Sequence, residues 1–227
     1  MLNEEYSAPW DLAGDAYIFV YHFSREFRRS LKFRVDNSAG DTTGFGAVMI
    51  INYTTSNVGP YNEILFDPGK SYFLGKKAHS ITKIYVSSQA SLTNGRRNWG
   101  IPKELATFSY ESLSKNEEHI TVQSDGIPFF DVVIKTRAVR LPLNMKIIKF
   151  PMVQILDQKT FSFTIWFDGK CNLAKIESLQ IDQERFPDIS NEKPFIGFHS
   201  KAFKLVFPVA EVHDLGVPVY GLPSAYK

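Results

Sequence analysis

Short runs of β-branched and aromatic residues, broken every few positions by Gly, Pro, Asn or Asp, dominate the chain from end to end. That rhythm predicts strands joined by tight turns in an antiparallel β architecture. The runs fall at Ala16–Phe23, Phe45–Tyr53, Tyr61–Phe66, Ile81–Ser87, Ala106–Glu111, His119–Gln123, Phe129–Thr136, Met145–Ile155, Phe161–Phe167, Leu173–Asp182 and Phe203–Val212. Ile120 and Val122 alternate with polar neighbours and lead into Ser124-Asp125-Gly126, which reads as a hairpin turn. Other runs, such as Phe161–Phe167, are apolar at almost every position and predict strands covered on both faces. Helical periodicity is sparse: Arg25–Lys32 and Lys70–Ala78 are the two short candidates. Pro187–Pro194 is the nearest thing to a mobile loop, and the tail from Gly216, with Pro218, Gly221 and Pro223, is too punctuated for regular structure. These patterns predict a mainly β (α+β) fold, a large antiparallel barrel with a few short helices.

At 227 residues, with no repeat, linker or compositional break, the chain is expected to form a single domain over residues 1–227. Apolar residues at 44% supply a sizeable core, well outside the disordered range. The 26 basic and 24 acidic residues leave a formal charge of +2, so neither nucleic acid nor a membrane surface is an expected partner. Cys171 stands alone, which excludes an intramolecular disulfide and suits a reducing compartment. With acids at its start and no apolar leader or membrane-length run, the chain is expected in the cytoplasm. The five histidines show no ligand spacing, so no metal is expected, and most of them read as surface residues. Asn52-Tyr53-Thr54 is an idle glycosylation acceptor, and Arg28, Arg29, Lys32 and Arg34 read as a solvated basic face.

The chemistry sits in Asn94–Phe108. Pro102 stiffens the backbone that enters Lys103 and so aims its amine, while Trp99, Ile101, Leu105 and Phe108 offer apolar walls and Arg96 and Arg97 nearby cations. An amine attacks a carbonyl only when unprotonated, which desolvation or a neighbouring positive charge promotes. Read from the residues alone, a surface strand with a solvated lysine and ordinary surface arginines is the simpler account of the segment.

The motif Gly95-Arg96-x-x-x-x-x-Pro102-Lys103-x-Leu105 resembles the Schiff-base lysine segment of the acetoacetate decarboxylase family. Thr55-Ser56-x-x-Gly59-x-Tyr61-x-Glu63 is similar to the family's segment with a pocket glutamate, and Phe207-Pro208-x-Ala210-Glu211-Val212 to its closing strand. The resemblance implies a barrel of that family's type and a homo-oligomer. It also implies a lyase without metal or cofactor, in which Lys103 forms an imine with a β-keto acid or related carbonyl compound and carbon dioxide leaves. Glu63 would position substrate or shuttle protons, and Tyr61, Trp99, Ile101 and Arg96 would contact it. The chain departs from the family at three places. Glu104 replaces the lysine that follows the nucleophile and is expected to face away and pair with an arginine; Val48 stands where a second pocket acid would be, and Gly14 near a pocket arginine. The implied alternatives are a barrel that binds without chemistry and an imine-forming aldolase or dehydratase.

Overall fold

The computed structural model describes residues 4–32, 39–73, 76–144 and 148–215. Its strands are β1 (Trp10–Tyr21), β2 (Ala39–Thr43), β3 (Gly46–Thr55), β4 (Tyr61–Asp67), β5 (Lys70–Phe73), β6 (Lys76–His79), β7 (Lys83–Val86), β8 (Lys103–Leu105), β9 (Thr107–Ser114), β10 (Glu117–Ser124), β11 (Ile127–Asn144), β12 (Ile148–Leu156), β13 (Lys159–Ile181), β14 (Ile196–Phe207) and β15 (Glu211–Asp214). Two helices, α1 (Arg25–Ser30) and α2 (Gln89–Trp99), complete the described residues. All fifteen strands join one curled sheet whose main path runs β2-β5-β6-β12-β13-β14-β1-β3-β4-β7-β8, with an arm β9-β10-β11 attached to the far half of β13. Pairing is antiparallel except at β7–β8 and one β6–β12 contact. The result is a mostly β half-barrel with few helices.

Alternation builds two cores from the same central strands. In β4, Tyr61 and Leu65 pack into one cluster with Trp10, Trp99, Ile101 and Phe203, while Ile64 and Phe66 pack on the opposite side with Phe19, Ile120, Phe130 and Phe186. Period-two geometry requires this division, and it explains why the central runs are apolar throughout. The Asp125-Gly126 turn, both residues at positive φ, joins β10 to β11 as the sequence predicts.

Several expectations need correction. Lys70–Ala78 falls in the strands β5 and β6, and in β5 Ser71 and Phe73 are buried while Tyr72 is exposed, a period of two rather than 3.6. Phe161–Phe167 and Leu173–Asp182 are parts of one long strand, β13, and Phe203–Val212 is interrupted at Pro208, which has no amide hydrogen for the ladder. The Pro187–Pro194 loop is pinned to the second core by Phe186 and Ile189, both fully buried. On α1, Arg28 reaches the carbonyl of Thr42 at 2.7 Å. Arg34, Met145 and the tail from Gly216 lie outside the described residues. No described helix is long and apolar enough to cross a membrane.

His199 is also buried, 7% exposed, and stacked on Tyr17 with ring centroids 4.3 Å apart. Burial, reinforced by Lys201 and opposed by Asp15, lowers its pKa to about 4. Because the unfolded imidazole takes up its proton at an ordinary value near 6.5 and the folded one does not until about 4, stability falls as pH drops through that window. Urea midpoints are expected to decline between pH 7 and pH 4, and His199→Gln to flatten that part of the profile.

Candidate active site

Helix α2 does most of the positioning. Its N-cap is Ser88, whose side chain accepts from the Ser91 amide, and it ends at Gly100 in the left-handed region with the Gly100 amide donating to the Arg96 carbonyl. A side chain at position 100 would meet the Phe161 ring at 2.3 Å, so both the positive φ and the close approach require glycine. Ile101 and Pro102 then carry the chain into β8, which lies parallel to β7 with Lys103 opposite Ile84.

Spacing along α2 puts Ser91, Gly95 and Trp99 on one face at i, i+4 and i+8. That face covers the Lys103 side chain. A Cβ at Gly95 would lie 2.8 Å from Lys103 Cε and 2.9 Å from Cδ, so the missing side chain makes room for the lysine stem. The amine, on a residue only 4% exposed, donates to Glu63 Oε2 at 2.9 Å and to Ser91 Oγ at 2.9 Å, and lies 5.2 Å from the centre of the Tyr61 ring. Glu63, 3% exposed, also accepts from the Tyr53 hydroxyl at 3.4 Å. Burial first and the Glu63 carboxylate second hold both the Tyr53 and Tyr61 phenols well above the ordinary tyrosine range, so they stay protonated.

Around this pair, Trp10, Leu12, Tyr53, Tyr61, Ile81, Ile84, Trp99, Ile101 and Phe207 enclose a cavity with about 10 Å³ of free space. Phe207 is the partly exposed member of the lining; the other residues are buried. Trp99 Nε1 donates to the carbonyl of Pro208 at 2.6 Å, which fastens the end of β14 to the helix. The segments of Tyr61 and Glu63, of Trp99, Ile101 and Lys103, and of Phe207 and Pro208, far apart in sequence, therefore meet at one amine.

Arg96 is placed elsewhere. It is exposed, and its Nε donates to the Lys103 carbonyl at 2.9 Å, so it steadies the backbone of β8 and does not line the cavity. Arg97 pairs with Glu5 at 2.7 Å. Leu105 is 45% exposed at the end of β8, and Phe108 packs against the second core, so neither walls the site. Glu104 does face away from the amine, as strand alternation requires, but its partner is a lysine: Lys83 Nζ is 2.5 Å from Glu104 Oε1. Val48 lies in the second core, on the wrong face for a pocket acid; the site-facing residue opposite Glu63 is Ile51. At Gly14 an added Cβ would strike the Asn52 carbonyl oxygen at 2.0 Å, and the β1 residues that reach the cavity are Trp10 and Leu12. Ser91 and Gly95 were not singled out as site residues from the sequence, although Ser88 as N-cap and Gly100 as terminator bracket the helix that carries them.

The family model for acetoacetate decarboxylase (ADC) matches residues 19–162, a span that contains both Glu63 and Lys103. The chain belongs to that family. Its fold is similar to the acetoacetate decarboxylase of Legionella pneumophila subsp. pneumophila str. Philadelphia 1, with a TM-score of 0.70 at 12% identity over 91% of this chain and 88% of that one. It is similar also to the enduracididine biosynthesis enzyme MppR (TM-score 0.64, 11% identity, 93% and 90% covered), and to an acetoacetate decarboxylase-like enzyme from Sphingomonas wittichii RW1 (0.65, 10%, 92% and 94%). MppR has been seen complexed with pyruvate. No curated protein matches the sequence.

Proposed function

We propose that the protein is a carbon–carbon lyase of the acetoacetate decarboxylase type, acting through an imine on Lys103. The observation that carries this reading is the buried amine within 2.9 Å of both a carboxylate and a hydroxyl in an otherwise apolar cavity. Glu63 Oε2 takes a proton from Nζ, which frees the lone pair to attack a carbonyl carbon. The carbinolamine loses its hydroxyl as water when Glu63 returns the proton, leaving a protonated imine. That cation draws in the electron pair of the carbon–carbon bond that breaks. An enamine results, which is protonated at carbon and hydrolysed to release product and restore the amine. On a β-keto acid the fragment lost is carbon dioxide. Tyr61, Trp99 and Ile101 wall the reacting carbon and keep water out, so the polar groups act in a low-dielectric space. A cytoplasmic homo-oligomer of single-domain subunits, taking a small carbonyl compound, completes the proposal; light scattering reads the subunit count.

Borohydride reduction in the presence of carbonyl compounds, followed by peptide mapping, tests it: a stable mass increment on Lys103 is expected, and its absence with every compound overturns the reading. A second reading is a barrel that binds without reacting, favoured by the pairing of the Lys103 amine with the Glu63 carboxylate at 2.9 Å, which holds the amine as an ammonium in an otherwise apolar or aromatic lining. It predicts ligand-induced thermal stabilisation without any adduct.

Entry is past Phe207. Phe207→Ala is expected to raise the rate of adduct formation several-fold, while costing about 1–3 kcal/mol through lost contact with Trp99 and Phe163. Trapping time courses and thermal melts check the two effects separately.

A further inference from the structure

A second cavity, of about 230 Å³ against about 10 Å³ at Lys103, lies on the other face of the sheet. Its floor is a rung across three strands, in which Tyr17 of β1 is paired with His199 of β14 on one side and Ile50 of β3 on the other. Asp15, opposite Asn52, extends that floor by one row. Ile18 and Ile51, the next residues on the same strands, belong to the Lys103 core, so the sheet itself separates the two spaces. The β9–β10 hairpin walls the cavity with Tyr110, Ser112 and Glu118. Two buried polar atoms of this lining have no hydrogen-bond partner among the described residues: His199 Nδ1, on a residue 7% exposed, and the Tyr110 hydroxyl. An unmade hydrogen bond at a buried atom is costly, so a ligand that completes both is rewarded twice.

The charges of the lining decide what kind of ligand this is. Asp15 and Glu118 are matched in number by Lys115 and Lys201, and Glu117 is paired with Lys135 at 3.3 Å, so the cavity has no net charge to offer an ion. An anion would meet three carboxylates and a cation two lysines, and no group of metal-ligating side chains occurs among the described residues. An alcohol hydroxyl both donates and accepts, and therefore suits Nδ1 in either imidazole tautomer as well as the phenol of Tyr110. Asn52, Ser112 and Asp15 provide further polar partners, while the Tyr17 and His199 rings, stacked at 4.3 Å, give a stiff apolar surface for a carbon skeleton. We propose that this cavity is a second binding site, distinct from that of Lys103, for an uncharged polyhydroxylated compound of monosaccharide size held by His199 and Tyr110.

The probes are methyl α-D-glucopyranoside, methyl α-D-mannopyranoside and myo-inositol, with inorganic phosphate and choline as charged comparators. None of the three neutral compounds has a free carbonyl, so imine formation at Lys103 cannot account for their binding. The full chain, labelled with nitrogen-15 at histidine, is titrated by NMR, with the His199 signals assigned through His199→Gln. A saturable shift of those signals is expected with at least one neutral probe and with neither comparator. Tyr110→Phe, which keeps the ring and removes the hydroxyl, is expected to weaken that binding about tenfold. Ser112→Trp, at an exposed position on the cavity wall, fills the space and is expected to abolish it, with thermal melts of both variants close to the parent's. No saturable shift with any neutral probe overturns the proposal, as does phosphate or choline binding as tightly, or undiminished binding in either variant.

Discussion

Lys103→Met is expected to abolish the trapped adduct and all turnover, and at the same time to lower stability by about 3–5 kcal/mol, because it leaves the Glu63 carboxylate buried without its cation. These two losses separate in a double variant. Lys103→Met with Glu63→Leu replaces the ion pair by apolar groups inside an apolar cavity, an exchange that ranges from neutral to stabilising in comparable sites. Its denaturation midpoint is therefore expected to return to, or pass, that of the parent while adduct formation stays at zero. A single Lys103→Met variant as stable as the parent would mean that Glu63 is neutral beside a neutral amine, and a double variant that regains labelling would place the reactive amine elsewhere. The double-mutant cycle measures the coupling directly.

Gly95→Ala is expected to give the opposite dissociation, intact folding with failed chemistry. Alanine at a helix interior is favoured over glycine by about 1 kcal/mol, and the atoms that a Cβ would strike are Lys103 Cδ and Cε, the end of a long side chain that can shift without any movement of the backbone. Swinging aside carries Nζ away from Glu63 Oε2 and Ser91 Oγ, and a displacement near 1 Å costs on the order of a hundredfold in reactions of this kind. Thermal melts should fall by less than in Lys103→Met, because the helix gain offsets part of the weakened ion pair, and the rate of borohydride-trapped labelling should fall about ten- to a hundredfold. A Gly95→Ala protein that labels at the parental rate would show that the lysine has room to spare.

Much of the fold was legible because strand signals are local. Each of the eleven predicted runs overlaps an observed strand in the described residues, and the hairpin at Asp125-Gly126 follows from turn chemistry alone. Helix α2 was not legible, for a reason that belongs to the site. Ahead of Trp99 its inward face is Ser91, Asn94 and Gly95, small or polar where a core helix normally shows an apolar stripe, because the face must admit the stem of Lys103. The very feature that makes the helix useful erases its periodic signature. Glu63 was named through the resemblance of its segment to the family's and not through spacing alone, and alternation puts it on the same face of β4 as Tyr61. The mapping of Val48 failed through register: one residue of slip along β3 moves a side chain from one core to the other, and sequence alone did not fix which. Arg96 failed because its spacing from Lys103 says nothing of direction, and in the helix it points to the backbone of β8.

Neighbours in the chain need not be neighbours in chemistry. Lys103 and Glu104 share a peptide bond, yet the sheet stands between their functional groups, one held by Glu63 and the other by Lys83. Position 104 is thereby insulated from the reaction and coupled to a different layer of the molecule. A lineage can reverse the charge there, provided position 83 changes in step, without disturbing the amine next door. The same insulation makes length the unforgiving variable: one residue inserted between Pro102 and Lys103 would turn the amine to the far side of the wall and leave the inserted side chain in its place.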